Sequence, residues 1–533
     1  MSNEVIQVPL ETELDALFGQ YITAGQAPGL VYALVAADGL RHSRGFGRLG
    51  ESGQPPDLNT VFPIASMSKS FSACAALIAR DRGLLCLHDP VSKWVPEFRI
   101  DSSYGGKDGI PTIEMLLSMA GGLTEDNSWV DPFISMPLAE LLACVEQGVK
   151  LSRAPGTAFE YSNLGFEIAC LAVSRAAGQP IDEFVKQEIL DPLGMTSTFP
   201  DKQVPAYVTR ASGHALDLDG NWVPYPPQHS DAFAGSCGLV STVSDLAKWV
   251  TWLGAAFRPA QADGEHELIL SRISRRELQR IHSVSRPALV VGETGAMQLE
   301  LSGYGLGLRI EEDLRNGTYV GHSGGLPGFL LHMCWHPVSG TAVVVLTNSH
   351  RGRPAALAHT ALARTLEWHT AAAETFELWP ETVALRDKAE TLIRSWDDRL
   401  AAEILAPNVD FDRPLAARRK DIEALTAQVG PLLAATGQTA HGGQHRHGAH
   451  ARQAAIISTV SPADVTWSIP GETGELICMI HLSPIKPAQI QELVVTASSY
   501  ARPRVARPVD ISARRTAWGR AFITAATSVE QRS

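Results

Sequence analysis

Strand-like stretches stand at both ends of the first 370 residues, and this placement constrains the fold more than any other feature of the chain. Leu10, Leu14, Leu17, Phe18, Tyr21 and Ile22 recur at helical spacing, so an amphipathic helix is expected first. Gly29 to Ala37 then reads as a strand, Asp38-Gly39 as a hairpin turn, and a second strand runs to Phe46. Far along the chain, Tyr304–Ile310, Thr318–Val320, Phe329–Trp335 and Thr341–Thr347 read as strands, and Pro354–Trp368 as a closing helix. Between these groups the pattern is helical. Ser66 to Gly83 places Phe71, Ala75 and Ile78 on one face and stops at glycine, and 110–200 reads mainly as helices and loops. One antiparallel sheet built from both ends, flanked by helices and holding an all-helical insertion, satisfies this order. The class is α+β.

The chain has 533 residues, more than that unit needs. Residues 371–382 read as a linker after a catalytic unit of 1–370, and 383–533 as a small accessory α+β domain. In the latter, Leu385, Leu392, Ile393, Trp396, Leu400 and Leu405 suggest one amphipathic helix. Ala455–Val460, Val465–Ile469, Glu475–Leu482 and Leu493–Ala497 are strand candidates.

Charge narrows the function classes. The balance is 45 − 57 = −12. Broad nucleic-acid binding, which needs a basic surface, is not expected. The segment from Tyr500 to Ser533 carries seven Arg against Asp510 and Glu530, and reads as a solvated or packing tail. The histidines His441, His445, His447 and His450 sit in the run HGGQHRHGAH, read as a polar loop. The seven scattered cysteines include no CxxC pair, so neither a zinc site nor a disulfide framework is indicated. The N-terminal stretch lacks the basic start and apolar run of a secretory signal, and no segment is long and apolar enough to span a bilayer. The expectation is a cytoplasmic protein that does not enter a membrane.

Three motifs carry chemistry. In Ser66-Met-Ser-Lys69 the residues at i and i+3 share a helix face, which brings a hydroxyl and an amine together. A serine hydroxyl becomes a useful nucleophile only beside a base, and a helix N-terminus favours negative charge forming near it. The spacing alone is weak, since Ser483-Pro-Ile-Lys486 repeats it with no helix pattern behind. Tyr161-Ser162-Asn163 lies in a loop before a helical stretch, Leu164–Ala177. A tyrosine next to an ammonium can act as a base, and Asn163 can bond both an amine and a substrate carbonyl. By itself the motif would read as a packed tyrosine and a helix cap. Gly321-His322-Ser323-Gly324-Gly325 precedes the strand Phe329–Trp335, and its glycines would let a substrate approach a free sheet edge. Trp129, after the Gly121-Gly122 turn, is a candidate for the mouth of the site or for ordinary packing.

The order SxxK, YxN, HxG resembles the serine β-lactamase and penicillin-binding protein superfamily, nearest to its class C-like esterase and peptidase (D-aminopeptidase) branch. PTIEMLLSMAGGL (111–123), LDPLGMTSTF (190–199), GLVSTVSDLAKW (238–249) and GYGLGL (303–308) are similar to stretches of that branch. The resemblance spans roughly 10–370. It implies a serine β-lactamase-like fold and a Ser66 acyl-enzyme. Lys69 and Tyr161 would share the base and acid roles, and Asn163, His322, Gly324 and Gly325 would bind substrate. The N–H groups of Ser66 and Gly325 would form the oxyanion hole.

The resemblance implies neither a metal nor an organic cofactor. The expected partners are small esters, amides or peptides. A histidine at 322, where the family also places lysine, weakens recognition of a substrate carboxylate. An acyltransferase on the same residues, or a protein that is acylated without turnover, are the competing functions. Oligomeric state is not encoded in any of these motifs.

Overall fold

A computed structural model describes residues 9–50, 53–101, 109–258, 268–291, 297–313, 316–370, 378–433, 456–459 and 461–499. The chain divides into two compact units, Met1–Ala371 and Ala372–Ser533.

In the first unit, α1 (Leu10–Thr23) buries Leu10, Leu14 and Phe18, spaced four apart. Strand β1 (Gly29–Ala36) is buried at every position but its last, as suits an interior strand covered on both faces. It pairs with β2 (Gly39–Gly47) through the expected hairpin, and with β7 (Thr341–Thr347) from the other end of the unit, with Ala33 opposite Val344. The remaining strands are β3 (Met297–Tyr304), β4 (Arg309–Asp313), β5 (Gly317–Leu326) and β6 (Phe329–His336). The order is β2-β1-β7-β6-β5-β4-β3, with the short strands Ser283–Val284 and Ala288–Val291 against β3.

Two helices, α1 and α4 (Pro354–Thr370), cover one face of this sheet around Phe18, Tyr32, Val345 and Leu362. The other face packs on α2 (Ser68–Asp81) and the insertion, through Val31, Phe71, Trp249 and Leu346. Phe71 stacks on Trp249 at 4.0 Å between centroids. The insertion is mainly helical, and its longest described helix is α3 (Asn163–Ala177). It also takes part in two small sheets, Phe62–Pro63 with Leu239–Ser241 and Phe199–Pro200, and His214–Leu216 with Trp222–Pro224.

Two local expectations need correction. The strand expected over 304–310 is broken by a turn at 305–308. β3 ends at Tyr304, β4 starts at Arg309, and the buried Leu306 and Leu308 between them imitate a strand pattern. Gly307 has φ +68°, and a Cβ there would lie 2.4 Å from the Lys69 carbonyl oxygen, so the turn is pressed onto the start of α2. In the second unit, the single helix expected over 385–405 is two, α5 (Pro380–Arg394) and α6 (Asp398–Ile404). Asp397 starts the second by accepting from Leu400 N at 2.7 Å.

The rest of that unit comprises α7 (Pro407–Asp412), α8 (Leu415–Val429) and an antiparallel sheet. The sheet runs β8 (Ile456–Ser458), β9 (Asp464–Pro470), β10 (Gly474–Leu482) and β11 (Ile490–Ser499). Ser483 and Lys486 fall in the connection between β10 and β11, not on a helix. The histidine run 441–450 and the arginine-rich segment 500–533 lie outside the described residues. No helix among the described residues is long and apolar enough to cross a membrane.

Candidate active site

Ser66 is on a single 3-10 turn, Ala65–Met67, that leads directly into α2. The sharp entry forces Ala65 to φ +49°, a left-handed conformation costing on the order of 1–3 kcal/mol in a non-glycine residue. Burial of Ala65 and of the turn's neighbours holds it there.

Lys69, one turn on, is fully buried. Its Nζ lies 3.0 Å from Ser66 Oγ, 2.7 Å from Asn163 Oδ1 and 3.2 Å from the Ser236 carbonyl oxygen. The last two can only accept. A neutral amine has two N–H donors for them and one lone pair, and that lone pair is left for the Ser66 hydroxyl. A protonated amine donates to all three. The cage therefore satisfies Lys69 in both states, as proton shuttling requires.

The asparagine is oriented in turn. Its Nδ2 donates to Asp126 Oδ1 at 3.1 Å and Asn127 Oδ1 at 2.9 Å, which leaves Oδ1 for the lysine. Asp126 also accepts from Asn163 N (2.7 Å), Leu164 N (2.9 Å) and Ser162 Oγ (2.9 Å), so one carboxylate anchors the whole start of α3. Ser162 caps the helix by accepting from Gly165 N at 3.0 Å.

Glu167, one turn along α3, is buried and accepts from Ser236 N (2.8 Å) and Gly235 N (3.3 Å). It thereby fixes the residue whose carbonyl faces Lys69, through the peptide that precedes it. Burial pushes its carboxyl up to about 7, against the pull of these N–H donors and of Lys69.

Tyr161 is half-buried on the same side, with Lys69 Nζ 5.2 Å from its ring centroid. Its hydroxyl makes no hydrogen bond with Ser66 or Lys69. Ser66 thus hydrogen-bonds the lysine and not the tyrosine.

The HxG segment lies within β5. β4 pairs with β5 only from Gly317 to Gly321, whereas β6 pairs with it through Leu326. From His322 onward β5 is therefore paired on one side only, among the described strands, and offers the free edge expected from sequence. The two glycines differ in use. A Cβ on Gly324 would lie 2.4 Å from the Ile64 carbonyl oxygen, so this glycine admits the turn that carries Ser66. Gly325 has room around it and lines the cavity.

His322 is buried. Its Nδ1 is 2.6 Å from the Ser323 carbonyl oxygen and its Nε2 2.7 Å from Tyr304 Oη. A carbonyl only accepts, so Nδ1 carries the proton and Nε2 accepts a hydrogen bond from the Tyr304 hydroxyl. Burial, reinforced by the nearby Lys69 charge, lowers the imidazole to about 3, and burial holds the Tyr304 phenol well above its ordinary value. The pair is a neutral donor–acceptor unit, not a cation.

These groups open on a cavity of about 750 Å³, lined by Ser66, Tyr161, Asn163, Tyr304, His322 and Gly325 among others. Arg309 is on its wall but is engaged by Glu300 and by Glu311 (2.7 Å). Asp131 also lines it, half-buried, with its carboxyl raised by burial. Trp129 is exposed and packs against Phe133 with the rings tilted, outside the lining.

Tyr304, Asp126, Glu167 and Ser236 escaped the motif reading. Glu167 had a usable signal, a lone acidic residue on the apolar face of α3. The others act across contacts that sequence spacing does not encode.

The family profile described as Beta-lactamase matches residues 14–367. The chain belongs to this family. It is a serine hydrolase of the serine β-lactamase and penicillin-binding protein superfamily. Penicillin-binding protein 4* of Bacillus subtilis is 26% identical over 354 residues, 63% of this chain and 71% of that protein. Esterase EstB of Burkholderia gladioli is 31% identical over 243 residues, 42% of this chain and 61% of that one. The D-alanyl-D-alanine-carboxypeptidase/endopeptidase AmpH of Escherichia coli is 27% identical over 333 residues, 60% and 79%. Among solved structures, the octameric penicillin-binding protein homologue from Pyrococcus abyssi aligns with a TM-score of 0.57 at 20% identity, covering 91% of this chain and 99% of that one. A class C beta-lactamase mutant aligns at 0.54 and 18%, covering 69% and 99%. These two likenesses establish the fold.

Proposed function

We propose that this chain cleaves esters, amides or peptides of small substrates through an acyl-enzyme on Ser66. The observation that carries the reading is the Lys69 cage, with Nζ 3.0 Å from Ser66 Oγ and its other partners both acceptors. Lys69 takes the hydroxyl proton as Oγ attacks the substrate carbonyl carbon. The developing oxyanion is met by the N–H groups of Ser66 and Gly325. The leaving alcohol or amine receives its proton from the Lys69–Tyr161 pair, and water then reverses the sequence to free the acid and Ser66. Asn163 holds the lysine, and His322 with Tyr304 shapes the free edge of β5.

The same electrostatics support a substrate class. His322 is neutral and Arg309 is already paired, so neither supplies a free cation for a carboxylate. Asp131 on the cavity wall favours a substrate amine. Esters, and amides or peptides with a neutral or cationic group at that end, fit better than substrates with a carboxylate beside the scissile bond. This fits the esterase among the relatives better than the carboxypeptidase.

The test is incubation with p-nitrophenyl esters and aminoacyl p-nitroanilides, with intact-protein mass spectrometry. Continuous release that Ser66→Ala abolishes, with an adduct on Ser66, supports the reading. A single stoichiometric burst would make the protein an acylated sensor, and product dependent on an added acceptor would make it an acyltransferase. Full activity in Ser66→Ala would refute the nucleophile.

A further inference from the structure

Behind the catalytic strand lies a second cluster that the hydrolytic site does not use. His332 and Cys334 are two residues apart on β6, so their side chains point to the same face of the sheet. Helix α4 packs over that face and brings His359 above them. Their ligand atoms all lie within 4.8 Å of one another. His332 and Cys334 are buried, while the side chain of His359 is 29% exposed, which leaves an approach from solvent.

The two imidazoles meet through Nε2, 3.3 Å apart. Nitrogens bound tetrahedrally to one ion at about 2.0–2.1 Å stand roughly 3.3–3.4 Å from each other. A shared proton would also bring two imidazoles close, so the surroundings decide. Each ring has its outer nitrogen set against an oxygen. His332 Nδ1 is 2.8 Å from Ser323 Oγ, and His359 Nδ1 is 3.5 Å from Glu311 Oε2. Glu311 is itself held by Arg309 Nε at 2.7 Å. A carboxylate only accepts, so it favours a His359 proton on Nδ1, and the ring's Nε2 faces His332. Imidazole ligands whose far nitrogen is tied to an oxygen are the usual outer support of a metal site.

We propose that His332, Cys334 and His359 form a binding site for one thiophilic divalent cation of the zinc class, with a fourth position open to water. Two imidazoles and a thiolate suit such an ion and disfavour magnesium or calcium, which take oxygen ligands. Binding releases the thiol proton to solvent. The site reaches the catalytic strand through His332 and Ser323, the residue between His322 and Gly324.

The test uses cobalt(II) as the spectroscopic probe on the full chain, reduced and without oxygen. His441, His445, His447 and His450 are replaced by Gln so that the histidine run does not compete. The expected result is a thiolate-to-cobalt charge-transfer band saturating at about one equivalent and reversed by zinc. Cys334→Ser removes the band, and His359→Gln, at a half-exposed position, weakens cobalt binding more than about tenfold. Circular dichroism confirms that both variants are folded. If the parent shows no such band, or if His359→Gln binds cobalt as tightly as the parent, the site does not exist. A band that survives Cys334→Ser places the thiolate elsewhere and equally overturns the proposal.

Discussion

Replacing Glu167 with Gln should make the protein relatively more stable as pH rises, by an amount that follows from the burial of this carboxyl. In the folded chain Glu167 titrates near 7, whereas its ordinary value is 4.5. A folded-state value above the unfolded one contributes stability that is complete below 4.5 and is lost as pH rises toward 7. The separation of 7 − 4.5 = 2.5 corresponds to a ceiling of about 3 kcal/mol. Between about pH 5 and about pH 7 the unfolded chain has largely released its proton and the folded chain has not, so the wild type loses roughly 2 kcal/mol from this group.

Glu167→Gln has no proton to lose and keeps an oxygen for Ser236 N. The assay is urea unfolding of both proteins at the two pH values. The quantity read is the change in their stability difference, from which contributions common to both, including those of the second unit, cancel. Glu167→Gln should gain roughly 2 kcal/mol on the wild type across this range. A difference that stays flat would mean that Glu167 ionises normally, as a partner of the Lys69 charge, and would refute the burial argument.

Asp126→Ala removes the acceptor for four donors around Asn163. It should lower stability by about 2–3 kcal/mol and reduce kcat on the order of 100-fold with little change in KM, because the Lys69 cage loses its alignment. Unchanged turnover would show that Asn163 holds the lysine unaided. His322, lowered to about 3, stays neutral across the working range, so His322→Asn should leave the apparent pKa values of the pH–rate profile unmoved. A limb in the wild type near the ordinary histidine value that vanishes in the variant would contradict this. Asp131→Asn should raise KM for aminoacyl p-nitroanilides roughly tenfold and leave neutral p-nitrophenyl esters unaffected, as measured by steady-state kinetics. Equal effects on both would argue for a structural role.

The reach of sequence here follows the range of each interaction. Ser66 and Lys69 were legible because i and i+3 on a helix are neighbours by local geometry and because the YxN and HxG motifs follow them in order. The hairpin at Asp38-Gly39 and the strand Thr341–Thr347 were legible because turn chemistry and an unbroken apolar run act over a few residues. The turn at 305–308 misled the pattern, since buried leucines look alike in a strand and in a turn pressed on a helix. The start of α6 at Asp398 rests on a local cap, Asp397, hidden by leucines that keep the helical period across it.

The sequence by itself determined most of the order of elements, the α+β class and the motif residues Ser66, Lys69, Asn163 and His322, because these rest on periodicity, turn chemistry and motif order. Only the tertiary structure decided how those residues are wired. Asn163 meets Lys69 across 94 residues, and the Ser236 carbonyl meets it across 167. The neutral state of His322 comes from its burial, and a glycine at 324 is required by the Ile64 carbonyl oxygen packed against it. Partners this far apart leave no periodic trace, because the close packing that sets their distances is a property of the assembled core and not of any one segment.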